Sequence, residues 1–198
     1  MRILSIISVL FMGCSNSTEP NAGENSCSDG EGTFLYNNSS YSCSDIKVIQ
    51  DFIDENLSLD SLTIVDFING YTDMDNFNHI SVAWNNGKIV EFTMFFDLVI
   101  IPSSISNLNK LEHLNLGDWN EIETFPIALC DLTQIQYLDL SRNKIQMVPD
   151  CIGNLGNLQI LDLDENMISY IPESICSIAN NIHNCYIELD GNNLCKQY

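Results

Sequence analysis

The chain has 198 residues, 27 acidic and 7 basic, for a formal charge of −20. That charge repels a phosphate backbone and excludes sequence-independent binding to DNA or RNA. Hydrophobic residues make up 45%, enough to bury the core of one domain, so disorder along the whole length is excluded as well.

Residues 1–13 read as an export signal. Arg2 supplies a positive start, residues 3–12 are an apolar run, and the small Gly13, Cys14 and Ser15 follow. Ten residues reach about 15 Å as a helix, half of a bilayer core, so the run is too short to span one. Phe11-Met12-Gly13-Cys14 resembles a bacterial lipobox, with Phe where that motif prefers Leu. The resemblance implies cleavage before Cys14, lipid on that cysteine and a place in the cell envelope. By resemblance to enterobacterial lipoprotein sorting, Ser15 rather than Asp after the cysteine implies the outer membrane, in the periplasm or at the cell surface. An ordinary signal peptide ending near a cysteine is the alternative. Residues 14–43 are rich in Ser, Asn, Gly and acid and read as a flexible acidic tether.

Residues 44–88 read as an N-terminal cap. A helix is expected over 44–56, with Ser44 as N-cap, Asp45 at the positive helix end, and Ile46, Ile49, Ile53 and Leu57 on one face. Residues 80–84 alternate, Asn86-Gly87 is a hairpin turn signal, and residues 89–94 return as the next strand.

From there the chain repeats. Leu111-Glu-His-Leu114-Asn-Leu116, Ile135-Gln-Tyr-Leu138-Asp-Leu140 and Leu158-Gln-Ile-Leu161-Asp-Leu163 share one pattern, with starts 24 and 23 residues apart. Asn143 and Asn166 match downstream, as do Ile122, Ile145 and Ile168, then Pro126, Pro149 and Pro172. A degenerate earlier copy runs through Ile89, Phe92, Met94, Asp97, Val99, Pro102, Ile105 and Leu108, and a truncated last one through Ile187, Leu189, Asn192 and Leu194. Leucines alternating with polar residues make half-buried strands. The Asn suits a tight turn, and the Pro favours an extended segment on the far side.

These residues resemble the leucine-rich repeat family, in its plant-type and Ras-group forms, and the segment 84–92 is similar to the repeat entry of bacterial secreted members. The resemblance departs where Trp119 or Asn120 competes for the Asn position after an inserted residue, and at Asp97. It implies an α/β fold: a short solenoid over residues 89–195 with a parallel concave sheet, four repeats plus the truncated one, and a tail at 196–198.

The chain has 8 cysteines, a number suited to an oxidising compartment. Cys27 with Cys43, flanking the cap, is the favoured bridge. Cys176, Cys185 and Cys195 crowd the last repeat, with Cys176–Cys195 preferred. Cys130 and Cys151 follow the prolines of consecutive repeats and suit either burial or a bridge. Asn16, Asn37, Asn38 and Asn56 fit N-x-Ser/Thr sequons.

By the resemblance, exposed strand residues face the concave side in columns. Glu91, His113, Tyr137, Ile160 and Tyr186 form one. Thr93, Asn115, Asp139, Asp162 and Glu188 form the next, and Phe95, Gly117, Ser141, Asp164 and Asp190 a third. Strands about 4.8 Å apart stack Asp139, Asp162 and Glu188 as like charges, a column that suits a basic partner or remains simply solvated. The aromatic anchors beside it are Tyr137, Tyr186, Phe95, Phe96 and Trp119. Five strands offer on the order of 350 Å², less than the roughly 800 Å² per partner of a standard interface.

Asp73-Met-Asp75-Asn76 and Asp162-Leu-Asp164-Glu165-Asn166 place oxygens at alternate positions but lack the glycine and distal Glu of a calcium loop, so no metal and no cofactor is assigned. His79, His113 and His183 sit in unrelated settings, and no hydrolase or phosphate-loop motif occurs. The expectation is a non-enzymatic, exported binder of a protein or basic peptide, held to the membrane through its N-terminal lipid alone. A structural envelope spacer is the main rival, and a hydrolase or hydrolase inhibitor the lesser one.

Overall fold

The computed structural model describes residues 27, 33–73, 78–118, 120–179 and 185–194. The expected export signal, Cys14, Trp119, His183 and Cys195 lie outside the described residues, as do Asp75 and Asn76 of the first acidic motif.

The described chain opens on a hairpin, β1 (Thr33–Tyr36) against β2 (Ser39–Ser42). Residues 33–42 of the tether expected over 14–43 are thus ordered as strands. Asn37 and Asn38 take positive φ, 49° and 62°, the conformation a two-residue hairpin turn demands and Asn tolerates. Phe34 pairs with Tyr41 across the strands, both pack on the core, and Tyr41 meets the Trp84 ring edge-on at 4.7 Å. A disulfide joins Cys27 to Cys43.

Helix α1 (Cys43–Glu55) follows, with Ser42 rather than Ser44 at its N-cap. It buries Ile46, Val48, Ile49, Phe52 and Ile53, a wider face than the three isoleucines suggest. Asp45 is fully buried and ties the helix start to the following sheet: one oxygen accepts from Lys88 Nζ and the other from the Ile89 amide, both at 2.8 Å. Two elements had no counterpart in the sequence reading. Helix α2 (Ile64–Asn69) starts in a Thr63–Asp66 capping box, and strand β3 (Tyr71–Asp73) follows Gly70 at φ 76°.

Strands β4 (Asn78–Asn85) and β5 (Lys88–Phe95) form the expected hairpin around Asn86 and Gly87. A side chain at Gly87 would strike the Ser40 carbonyl at 2.4 Å, so this glycine lets the two hairpins lie against each other. Then come β6 (His113–Asn115), β7 (Tyr137–Asp139), β8 (Ile160–Asp162) and β9 (Tyr186–Glu188). The seven strands β3 to β9 lie side by side in sequence order, antiparallel to β5 and parallel from there. Leu114, Leu116, Leu138, Leu140, Leu161 and Leu163 are at most 1% exposed, and one continuous apolar core runs from α1 to Cys185.

The segments after the prolines are not extended as expected. Pro102, Pro126 and Pro149 each open one turn of 3-10 helix, at Ser103–Asn107, Ile127–Asp131 and Asp150–Asn154, and the last coil has the short helix α3 (Ile175–Ala179). The proline itself stays extended as the N-cap, and its carbonyl accepts the first bond of the turn, from the amides of Ile105, Leu129 and Ile152. The second and third of these turns are crosslinked by Cys130–Cys151.

A buried asparagine joins each coil to the one before. Asn143 accepts from the Ile122 amide at 3.1 Å and donates to the carbonyls of Leu116, Leu140 and Ser141 at 3.0–3.1 Å. Asn166 repeats this one coil later, with Ile145 and with Leu140, Leu163 and Asp164, and Asn192 bonds Ile168, Leu163 and Leu189. Asn120 holds the same place in the irregular coil, accepting from Phe96 and Leu98 and donating to Met94, Leu116 and Gly117. At the first coil the part is taken by Asn56, just past α1, which accepts from the amides of Val99 and Ile100. Asn56 is 2% exposed, so its sequon is closed to modification in the folded chain.

Candidate functional site

The parallel register fixes which side chains share the concave face. Glu91, His113, Tyr137, Ile160 and Tyr186 are successive partners across β5 to β9, and so are Thr93, Asn115, Asp139, Asp162 and Glu188. The face also extends beyond the five strands considered from sequence. Thr72 pairs with His79 and His79 with Phe95, which carries the third column onto the cap and widens the face to about 500 Å². The His79 ring stacks on Phe95 at 6.0 Å, and its Nδ1 lies 3.0 Å from Thr72 Oγ1. Phe96, an anchor in the sequence reading, is instead 5% exposed and packs on Tyr71; the strand's alternation turns it into the core.

Three residues of the second column, Asn115, Asp139 and Asp162, bend toward the amide two positions on, a local Asx-type bond. Asn115 accepts from Gly117 N, Asp139 from Ser141 N, and Asp162 from Asp164 N, at 2.9–3.0 Å. Asp139 goes further. It also accepts from Ser141 Oγ at 2.7 Å and from the Tyr137 hydroxyl at 3.1 Å, and it is only 9% exposed. Its carboxylate leans over Gly117, where a Cβ would meet Asp139 Oδ1 at 2.5 Å and Ser141 Oγ at 2.8 Å. Gly117 thus gives Asp139 room to turn away from Asp162.

No such room serves the next coils. Asp162, Asp164 and Glu188 bring carboxylate oxygens within 4.8 Å of one another. Asp164 also accepts from the Asp190 amide at 2.6 Å. Burial holds the Asp162 carboxyl above its ordinary range; the Asp164 amide opposes this, while the carboxylates of Asp139 and Asp164 add to it. Glu188 is raised by desolvation and then by Asp162 and Asp164. Burial, followed by the Asp139 charge, pushes the Tyr137 phenol up to about 12. Oxygens this close suit a divalent cation or the ammonium and guanidinium groups of a partner. The nearby cation is Arg142, which pairs with Asp118 at 2.9 Å and Glu165 at 3.5 Å.

The expected concave residues are thus on one face, and they divide. Ile160 is 36% exposed and Tyr186 62%, and the His113 ring is 6.1 Å from Tyr137. Missed in sequence were the cap strands as part of the face, Ser141 and Tyr137 as partners of Asp139, and the role of Gly117. The Tyr137 and Asp139 spacing, i and i+2 on one strand, was the available signal. Away from this face Cys185 is buried, its thiol pushed up to about 11 by burial.

Family models for leucine rich repeat match residues 98–145 and 157–178. Among solved structures, the chain is similar to a leucine-rich-repeat protein of Leptospira interrogans, at 30% identity and a TM-score of 0.46, over 50% of this chain and 24% of that one. A plant ice-binding protein aligns at 19% identity and a TM-score of 0.59, over 77% of this chain and 49% of that one. The leucine-rich-repeat ectodomain of the receptor kinase SOBIR1 from Arabidopsis thaliana aligns at 21% and 0.46, over 78% and 95%. The chain spans about a quarter of the Leptospira protein's length. No curated protein matches it.

Proposed function

We propose that this leucine-rich-repeat protein binds a basic protein or peptide on its concave face, exported and anchored by lipid on Cys14. Leucine-rich-repeat domains commonly mediate protein–protein interaction, and the observation that carries the finer reading is the clustering of Asp162, Asp164 and Glu188. Like charges that close are costly alone and favourable once a cation neutralises them. The disulfides Cys27–Cys43 and Cys130–Cys151 support an oxidising compartment.

Pull-down from an envelope extract tests the face. A partner retained by the wild type and lost by Ile160→Arg and by Asp162→Asn supports the reading. A partner retained equally by all three overturns it, and self-association alone favours the spacer role. Palmitate labelling tests the anchor separately: label that survives Cys14→Ser removes lipidation at that residue.

A further inference from the structure

The concave residues form stripes that run along the solenoid axis, across the strands. His113, Tyr137, Ile160 and Tyr186 make one stripe, aromatic and apolar, in which His113, Ile160 and Tyr186 are exposed and Tyr137 is half-buried. Asn115, Asp139, Asp162 and Glu188 make the second, two residues further along each strand, a lateral offset of about 7 Å. Asp164 reinforces the second stripe, its carboxylate within 4.8 Å of those of Asp162 and Glu188.

The step along each stripe is one strand spacing, about 4.8 Å. That step discriminates between shapes of partner. An α-helix advances about 4.5–6 Å over three or four residues, so its same-face residues keep phase with successive coils. An extended peptide repeats its same-face residues every ~6.7 Å and loses phase after two coils. The lateral order matters too: an apolar stripe beside an acidic one complements a helix with an apolar ridge flanked by cations.

We propose that the face takes an amphipathic basic α-helix lying along the solenoid axis. Its apolar ridge covers Tyr137, Ile160 and Tyr186, and its lysines or arginines meet Asp162, Asp164 and Glu188. The inference rests on the concave-face reading above and adds the partner's secondary structure and orientation.

Two synthetic peptides of identical composition test it on the full chain. One is Leu-Lys-Lys-Leu-Leu-Lys-Lys repeated twice, apolar at helical spacing. The other is Lys-Leu-Lys-Leu-Lys-Leu-Lys repeated twice, apolar at strand spacing. Titration calorimetry near physiological salt is expected to give the helical-period peptide about tenfold tighter binding, with helix gained by circular dichroism. Ile160→Arg, and Asp162→Asn combined with Glu188→Gln, are each expected to weaken it about tenfold. Equal or tighter binding of the strand-period peptide, still lost on Ile160→Arg, overturns the helix and leaves the concave-face reading standing. Binding that ignores all these substitutions, or no binding by either peptide, overturns both.

Discussion

Two columns of polar side chains run through the coils, and they solve opposite problems. In the inner column Asn120, Asn143 and Asn166 are buried, and each bonds backbone groups of its own coil and the previous one. A neutral amide carries both donor and acceptor, so identical residues stack there without repulsion. In the outer column Asp139, Asp162 and Glu188 are carboxylates, acceptors only when ionised; Asp139 and Asp162 accept from amides of their own coil, while Glu188 meets Asp164 of the coil before it. The first column holds the solenoid together. The second brings like charges together, a cost that the proposed cationic partner would offset.

The largest effect is expected from breaking the inner column. Asn143→Ala leaves the Ile122 amide and the Leu116, Leu140 and Ser141 carbonyls without that partner inside the core. Chemical denaturation is expected to show a loss of about 3–5 kcal/mol. A loss under about 1 kcal/mol would mean that water replaces the amide and that the column does not hold the solenoid together. Next comes the covalent tie on the convex side. Cys130–Cys151 closes a 21-residue separation, and replacing both cysteines with Ala is expected to cost about 3 kcal/mol in the same assay.

A smaller change moves the outer column alone. Gly117→Ala places a Cβ where Asp139 Oδ1 now lies 2.5 Å away, so the carboxylate must shift back toward Asp162. The expected cost is about 1–2 kcal/mol. The Tyr137 phenol, raised to about 12 by burial and by Asp139, is expected to titrate lower in the variant. A spectrophotometric titration that leaves it unmoved shows that Asp139 stays in place.

The strands and their register were legible because leucines at period two leave one reading of each repeat, and register then assigns every concave residue. Other features were carried by contacts rather than by pattern. Asn56 closes the first coil from 43 residues before Val99, and no repeat phase marks it. The one residue inserted in that coil left Trp119 and Asn120 both open for the Asn position, and the five bonds of Asn120 decide between them. The hairpin at Thr33–Ser42 lies in a Ser/Asn-rich stretch whose composition signals disorder; the Phe34–Tyr41 pair and its packing on the cap override that. The charge column was visible as a column. Its convergence at Asp162, Asp164 and Glu188 was not, because side-chain direction beyond the strand end follows from the turn.

The smallest effect separates the two columns by sign. Asp162→Asn keeps an oxygen for the Asp164 amide and removes one charge from the cluster, so it is expected to stabilise the free protein by about 0.5 kcal/mol near neutral pH. The pH dependence follows from the raised Asp162 carboxyl. The folded chain holds this proton more tightly than the unfolded one, so the group's contribution is full below the unfolded value and lost as pH rises through the folded one. Wild type and variant are therefore expected to converge in stability toward the ordinary carboxylate range and to diverge as pH climbs above it. Thermal melts across that window check the sign. If Asp162→Asn is instead the less stable form near neutrality, the Asp162 carboxylate strengthens the turn more than its neighbours repel it. The outer column would then be a second structural spine, and its charge would give no reason to expect a cationic partner.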